Sequence, residues 1–172
     1  MFNAIVNVIK DLDKDDGSGG QQGKVRVGVQ SMDRRILKHL NEFNKTLGPT
    51  QSPGGKTDLL LSLEDIETVM FNASNGDRPE DPDYPNILIF LTDGLSISPE
   101  TSPSDVPPNV DRVIVVGVGS SIASDLKDYA SSPDDFFQAT LTCQIEEFLR
   151  QKLLCESKKL TVTPSSSCPK IV

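Results

Sequence analysis

The chain has 172 residues, a formal net charge of −8 at pH 7, and 12 prolines. That length suits one domain with its own hydrophobic core, and the acidic balance argues against binding to nucleic acid or to an anionic membrane surface. No apolar run approaches the length of a membrane span.

The first half of the chain alternates helical and extended patterns. Apolar residues at helical spacing predict an amphipathic helix at residues 1–12. Residues 24–30 alternate, with valines on one face, and are predicted to form a strand, while 36–40 is predicted to form a short edge strand. Residues 58–71 predict a second helix. The apolar face of the first helix is Phe2, Ile5, Val6, Ile9 and Leu12, and that of the second is Leu59, Leu60, Leu63, Ile66 and Met70.

The second half contains two apolar strands. Residues 87–91 are an unbroken apolar run, which predicts a central strand buried on both faces of a parallel sheet. Residues 112–119 predict a second such strand, and the proline- and serine-rich stretch 96–108 predicts a loop between them. The remaining elements are predicted as a helix at 122–130, a short strand at 136–139, a helix at 141–154 and a tail at 158–172, with 160–163 a candidate strand.

Strands that alternate with helices predict an α/β fold with three layers, a mostly parallel sheet carrying helices on both faces. In such sheets ligands bind beyond the carboxyl ends of the strands. Thr92-Asp93-Gly94 directly follows the run at 87–91, which places a carboxylate at that edge.

Two stretches of the second half, PNILIFLTDG at 85–94 and DRVIVVGVGSSIASDLKDYAS at 111–131, resemble a von Willebrand factor type A domain. VRVGVQ at 25–30 and GGKTD at 54–58 match the first half of that family. We expect an incomplete domain of this kind over residues 1–156 and a linker or tail at 157–172, which resembles the lead-in to a further domain.

The resemblance implies Mg²⁺ or Mn²⁺ held on three loops at the carboxyl end of the sheet. Thr57, after a glycine pair, fits the second loop, and Asp93 fits the third. The first loop, D-x-S-x-S, occurs nowhere in the sequence, and the central first strand that precedes it in the family is also missing. Because hydroxyl and carboxylate oxygens from two loops supply too few ligands, we expect weak or absent binding of the cation. Without the resemblance, Thr57 would be a helix N-cap and Asp93 a turn residue.

Two acidic stretches near residue 15 resemble metal loops only in part. Asp16-Gly17-Ser18-Gly19-Gly20 matches D-x-S-x-S at two of three positions, but no room remains for a helix before the strand at 24–30, which favours a solvated loop. Residues 11–17 carry alternate carboxylates like a calcium loop. Asp16 stands where that loop needs glycine, however, and Gln22 stands where it needs glutamate.

Enzymatic motifs are weak. Gly55-Lys56-Thr57 ends like a phosphate-binding loop, but Thr50 stands where the pattern needs its first glycine. His39 is the single histidine, so a Ser-His or Cys-His pair is not favoured. The sequence predicts a protein that is not an enzyme.

Cys143, Cys155 and Cys168 are the three cysteines, without the C-x-x-C spacing of zinc sites. In an oxidising compartment an odd count leaves one thiol unpaired. The resemblance implies a bridge at Cys155, and our hypothesis is that Cys143 or Cys155 pairs with another cysteine. Asn44 and Asn72 each begin an N-x-[ST] triplet, the acceptor pattern for N-glycosylation.

Together the resemblance implies a non-enzymatic protein-binding or adhesion module, secreted into the extracellular matrix. Its partner would be collagen or another matrix protein. Two alternatives stay open: a structural spacer that binds no metal, and an intracellular scaffold domain of the ATPase-associated kind.

Overall fold

The structure, a computed structural model, describes residues 8, 28–30, 36–38, 59–78, 85–92, 101–119 and 124–154. The described strands form two sheets. In the smaller, β1 (Val29–Gln30) pairs antiparallel with β2 (Ile36–Lys38). The larger is parallel, with β4 (Arg112–Val118) between β3 (Ile87–Thr92) and β5 (Phe136–Ala139). A parallel sheet flanked by helices confirms the predicted α/β class.

Two long helical segments flank this parallel sheet. The first, α1 (Leu59–Asp65), continues into a π-helical turn at Ile66–Met70. The second, α2 (Thr142–Leu154), follows β5. Short 3₁₀ helices lie at Ala73–Asn75, Pro103–Asp105, Ser124–Tyr129 and Pro133–Asp135.

The core has two halves, one on each face of the parallel sheet. Side chains of successive strand residues point to opposite faces, so Val113 and Val115 of β4 join one half while Ile114 and Val116 join the other. The first half packs against α1 and the turn before Ala130, and the second packs against α2. The buried residues of the first half are Leu59, Leu63, Ile66, Met70, Phe90, Val113, Val115, Leu126 and Tyr129. Those of the second half are Val8, Ile114, Val116, Ala139, Ile145, Phe148 and Leu149.

The position of the apolar run at 87–91 differs from the prediction. In the described part of the sheet, β4 is the central strand, and residues 113–117 are buried. β3 pairs with β4 alone among the described strands, and Phe90 is its only buried residue. Complete burial on both faces was therefore the wrong expectation for β3, although its side chains contact both halves of the core.

Two predicted α-helices differ in their local geometry. The helix predicted at 122–130 is a 3₁₀ helix at Ser124–Tyr129. The helix predicted at 58–71 changes to π geometry at Ile66, where the Phe71 amide donates to the Ile66 carbonyl at 2.9 Å. The Thr68 hydroxyl donates to the Glu64 carbonyl at 2.8 Å, and such a side-chain bond competes with the helical ladder.

Burial along α1 and the π turn follows the predicted face with two exceptions. Leu59, Leu63, Ile66 and Met70 are buried as predicted, whereas Leu60 is half-buried and Ser62 is buried. Val8 is helical and fully buried, although the sequence pattern did not place it on the apolar face. The residues predicted for that face lie outside the described residues.

Candidate functional site

The carboxyl edge of the parallel sheet is where the sequence places its binding residues. The register pairs Thr92 with Gly117 and Val118 with Ala139, so the three strands end side by side. Asp93 follows Thr92 in sequence, and Thr57 precedes α1 by two positions. Both residues lie outside the described residues, so the structure gives the strand ends and the helix start that flank them but not the two side chains.

A tight turn shapes this edge after β4. Gly119 has φ of +107°, a left-handed conformation that glycine adopts without strain. Its amide donates to the Ala139 carbonyl at 2.9 Å, and the Gln138 side chain donates to the Gly119 carbonyl at 3.0 Å. These two hydrogen bonds connect the carboxyl ends of β4 and β5 at this edge.

The described residues of this edge offer few ligands to a divalent cation. Within the described ranges no group of three or more His, Cys, Asp or Glu side chains could hold a metal ion. Thr57 and Asp93 offer one hydroxyl and one carboxylate, which are suitable hard donors for Mg²⁺. These two predicted ligands by themselves would leave most of an octahedral shell to water, and the incomplete metal site stays a prediction.

The opposite, amino edge of the sheet carries a buried ion pair that the sequence pattern did not reveal. Asp135 is 3% exposed. Its carboxylate accepts from Arg112 Nη2 at 2.5 Å and from the Ser132 hydroxyl at 2.9 Å, and Lys152 Nζ lies 3.6 Å away. Burial alone would raise the pKa of Asp135, but these hydrogen bonds and the two positive charges lower it below the ordinary value.

This ion pair has a structural role. Arg112 begins β4, Asp135 directly precedes β5, and Lys152 lies in the last turn of α2. Asp135 therefore connects β4, the start of β5 and α2, which are far apart in sequence. The residues Ser132-Pro133-Asp134-Asp135 predict a turn, but nothing local to them predicts the partner Arg112.

One cysteine among the described residues is oxidised. Cys143, in the first turn of α2, is disulfide-bonded. Cys155 and Cys168 both lie outside the described residues, so the predicted pairing stays a prediction.

The other predicted sites fall on parts of the chain that the structure does not describe. They are the acidic stretches at 11–17 and 16–20, the glycine-lysine-threonine stretch at 55–57, His39 and Asn44. Asn72 is described and is exposed. No helix among the described residues is long and apolar enough to cross a membrane.

The chain matches the family model of the von Willebrand factor type A domain over residues 1–151, and it belongs to that family. It is 29% identical to the transmembrane cell adhesion receptor mua-3 of Caenorhabditis elegans, in an alignment that covers 84% of this chain and 4% of the receptor.

Solved structures of similar fold include proximal thread matrix protein 1 of the mussel byssus. Two of its crystal structures match with TM-scores of 0.68 and 0.67, each at 18% identity over 91% of this chain and 43% of that chain. In the second of these, zinc occupies the MIDAS motif, the metal-ion-dependent adhesion site. This chain thus spans less than half the length of each of these relatives.

Proposed function

We propose that this chain is a non-enzymatic protein-binding module of an extracellular protein, and that its ligand binds at the carboxyl edge of the parallel sheet. The observation that carries the proposal is the register of β3 and β4. It places Thr92, the last residue of β3, beside Gly117 at the carboxyl edge. Asp93 of the T-D-G motif follows that strand end directly, and ligands of open α/β sheets bind at this edge.

Two findings support an adhesive role outside the cell. The chain is similar in sequence to part of a cell adhesion receptor, and it is similar in fold to a thread matrix protein. The disulfide at Cys143 is typical of proteins from an oxidising compartment, which disfavours the intracellular scaffold alternative. A matrix protein such as collagen is therefore the ligand class we propose.

The ligand would contact this edge with little help from a cation. Thr57 and Asp93 would be the residues nearest any Mg²⁺ or Mn²⁺, which would bridge them to a carboxylate of the ligand. Because two protein ligands hold such an ion weakly, we propose that direct contacts with the edge supply most of the affinity. A spacer domain without metal is the second candidate, favoured by the lack of a D-x-S-x-S loop in the sequence.

Surface plasmon resonance over immobilised collagen tests this proposal. We expect binding by the full chain, weakened at least about tenfold in Asp93→Ala, a loss of roughly 1.4 kcal/mol of binding free energy. Asp134→Ala is the matched control, since Asp134 is exposed and precedes the amino end of β5. Equal affinities for the two variants, or no binding by the unmodified chain, would count against binding at this edge and favour the spacer.

A further inference from the structure

An open cleft lies at the amino edge of the parallel sheet, away from the proposed ligand edge. Its volume is about 530 Å³, within the ordinary range of small-molecule sites, roughly 300–1,000 Å³. Asn86 and Asp111 immediately precede β3 and β4 and form its floor. Its lining comprises residues 71–73 together with Asp77, Asn86, Asn109 and Asp111.

Hydrogen bonds hold the walls of this cleft together. The Asn86 amide donates to Asp111 Oδ2 at 2.7 Å, and the Asn86 side chain donates to the Asn109 carbonyl at 3.0 Å. The Asp77 amide donates to the Asn72 carbonyl at 3.1 Å. Asn109 Oδ1 is buried and accepts no hydrogen bond within the described part of the chain. The cleft therefore has a mostly apolar lining that also contains carboxylate and amide groups.

Asn72, at the rim of the cleft, is the first residue of an N-x-[ST] triplet. Its side chain is exposed and caps the turn Ala73–Asn75. Asn72 Oδ1 accepts from the Ser74 amide at 3.0 Å and from the Ser74 hydroxyl at 2.7 Å. Asn72 Nδ2 donates one hydrogen to the Thr68 carbonyl at 3.3 Å. Since an amide nitrogen has two hydrogens, the second can be replaced without loss of that bond.

We propose that Asn72 carries an N-linked glycan and that the first sugar of this glycan lies in the cleft. The inference rests on the extracellular location in the proposed function. In the transfer step, Asn72 Nδ2 forms a bond to C1 of an N-acetylglucosamine. The C1–oxygen bond to the pyrophosphate of a lipid-linked oligosaccharide donor breaks, the lipid pyrophosphate leaves with the bonding electrons, and the amide proton passes to a base of the transferase.

The chemistry of the lining suits a neutral sugar. Sugar hydroxyls and the acetamido N–H are donors, and Asp77 and Asp111 of the lining carry carboxylate acceptors. Phe71 packs against the core and also lines the cleft, which adds an apolar residue to the surface beside the sugar. Because the cleft lies at the amino edge, a glycan there leaves the carboxyl edge accessible to a protein ligand.

Glycan occupancy is the first test. The full chain, fused to a cleavable signal peptide and secreted from a eukaryotic host, is analysed by glycopeptide mass spectrometry. We expect a glycan on Asn72 in the unmodified chain and in the conservative variant Ser74→Thr, and its loss in Ser74→Ala. An unmodified Asn72 in the secreted chain, with a reference glycoprotein from the same host fully modified, overturns the proposal. The supplied signal peptide makes this result independent of whether the chain binds collagen.

The second test asks whether the first sugar lies in the cleft. The glycan is trimmed to its first N-acetylglucosamine, and backbone hydrogen exchange is compared with that of Ser74→Ala, which retains the Asn72 side chain and its bond from the Ser74 amide. We expect slower exchange at Asn86 and at residues 109–112 in the sugar-bearing chain, with unchanged exchange at residues 124–130. Identical exchange at the cleft in the two proteins would overturn the seating of the sugar.

Discussion

At the scale of single residues, Asp135 shows how one buried carboxylate can hold several elements. Its partners come from β4, from the turn before β5 and from α2. Hydrogen bonds to charged groups are the stronger ones in proteins, and removal of the Asp135 charge takes its charge-assisted bonds away from Arg112 and Lys152 in a partly dry environment.

The substitution Asp135→Asn should therefore destabilise the fold. It removes the negative charge that faces Arg112 and Lys152, and we expect a loss of roughly 1–3 kcal/mol in the free energy of unfolding. Urea denaturation at pH 7 measures this loss. Asp134→Asn is the control because Asp134 is exposed, and a change of less than about 0.5 kcal/mol is expected there. Equal effects of the two substitutions would contradict the role given to Asp135.

The same carboxylate predicts part of the dependence of stability on pH. The pKa of Asp135 is lowered in the folded chain from its ordinary value of 3.8. A group of this kind contributes its full stability above its unfolded pKa and loses it as the pH falls through the folded pKa. Asp135→Asn should thus lose less stability than the unmodified chain on acidification from pH 5 to below pH 4. Parallel loss of stability in both proteins over that window would show that Asp135 is not a contributor.

At the scale of elements, α2 and the sheet supply half of the core. Leu149 of α2 is fully buried, whereas Leu141, immediately before the helix, is 47% exposed. Leu149→Ala should cost roughly 2–5 kcal/mol, because it removes buried apolar contacts and leaves a cavity. Leu141→Ala, the same chemical change at an exposed site, should cost less than about 0.5 kcal/mol. Chemical denaturation of the two variants measures the difference, and similar costs would contradict the described packing of α2.

The sequence predicted elements well where their patterns are local and strong. β5 has the predicted bounds, and α2 begins one residue later than predicted. The π turn after Asp65 was missed because the apolar spacing of residues 59–70 is that of an ordinary α-helix. The segment at Ser124–Tyr129 was predicted as an α-helix because apolar spacing over so few residues does not distinguish it from a 3₁₀ helix.

At the scale of the whole molecule, the two edges of the parallel sheet have different predicted roles. The position of the end of β3 was predictable because T-D-G follows an apolar run typical of a strand, while the binding role of that edge stays a prediction. The cleft and the ion pair of the amino edge were not predictable. Their groups come from segments far apart in sequence, such as Asn72 with Asn109 and Arg112 with Asp135, and only the fold brings these residues together.

We propose that this type A domain has a ligand edge without a complete metal site. A thermal melt of the full chain with and without millimolar Mg²⁺ tests that claim directly, because a ligand raises the melting temperature only when its concentration approaches or exceeds its dissociation constant. We predict the same melting temperature in both conditions. A melting temperature that rises with Mg²⁺, and returns to the metal-free value in Asp93→Ala, would contradict the claim.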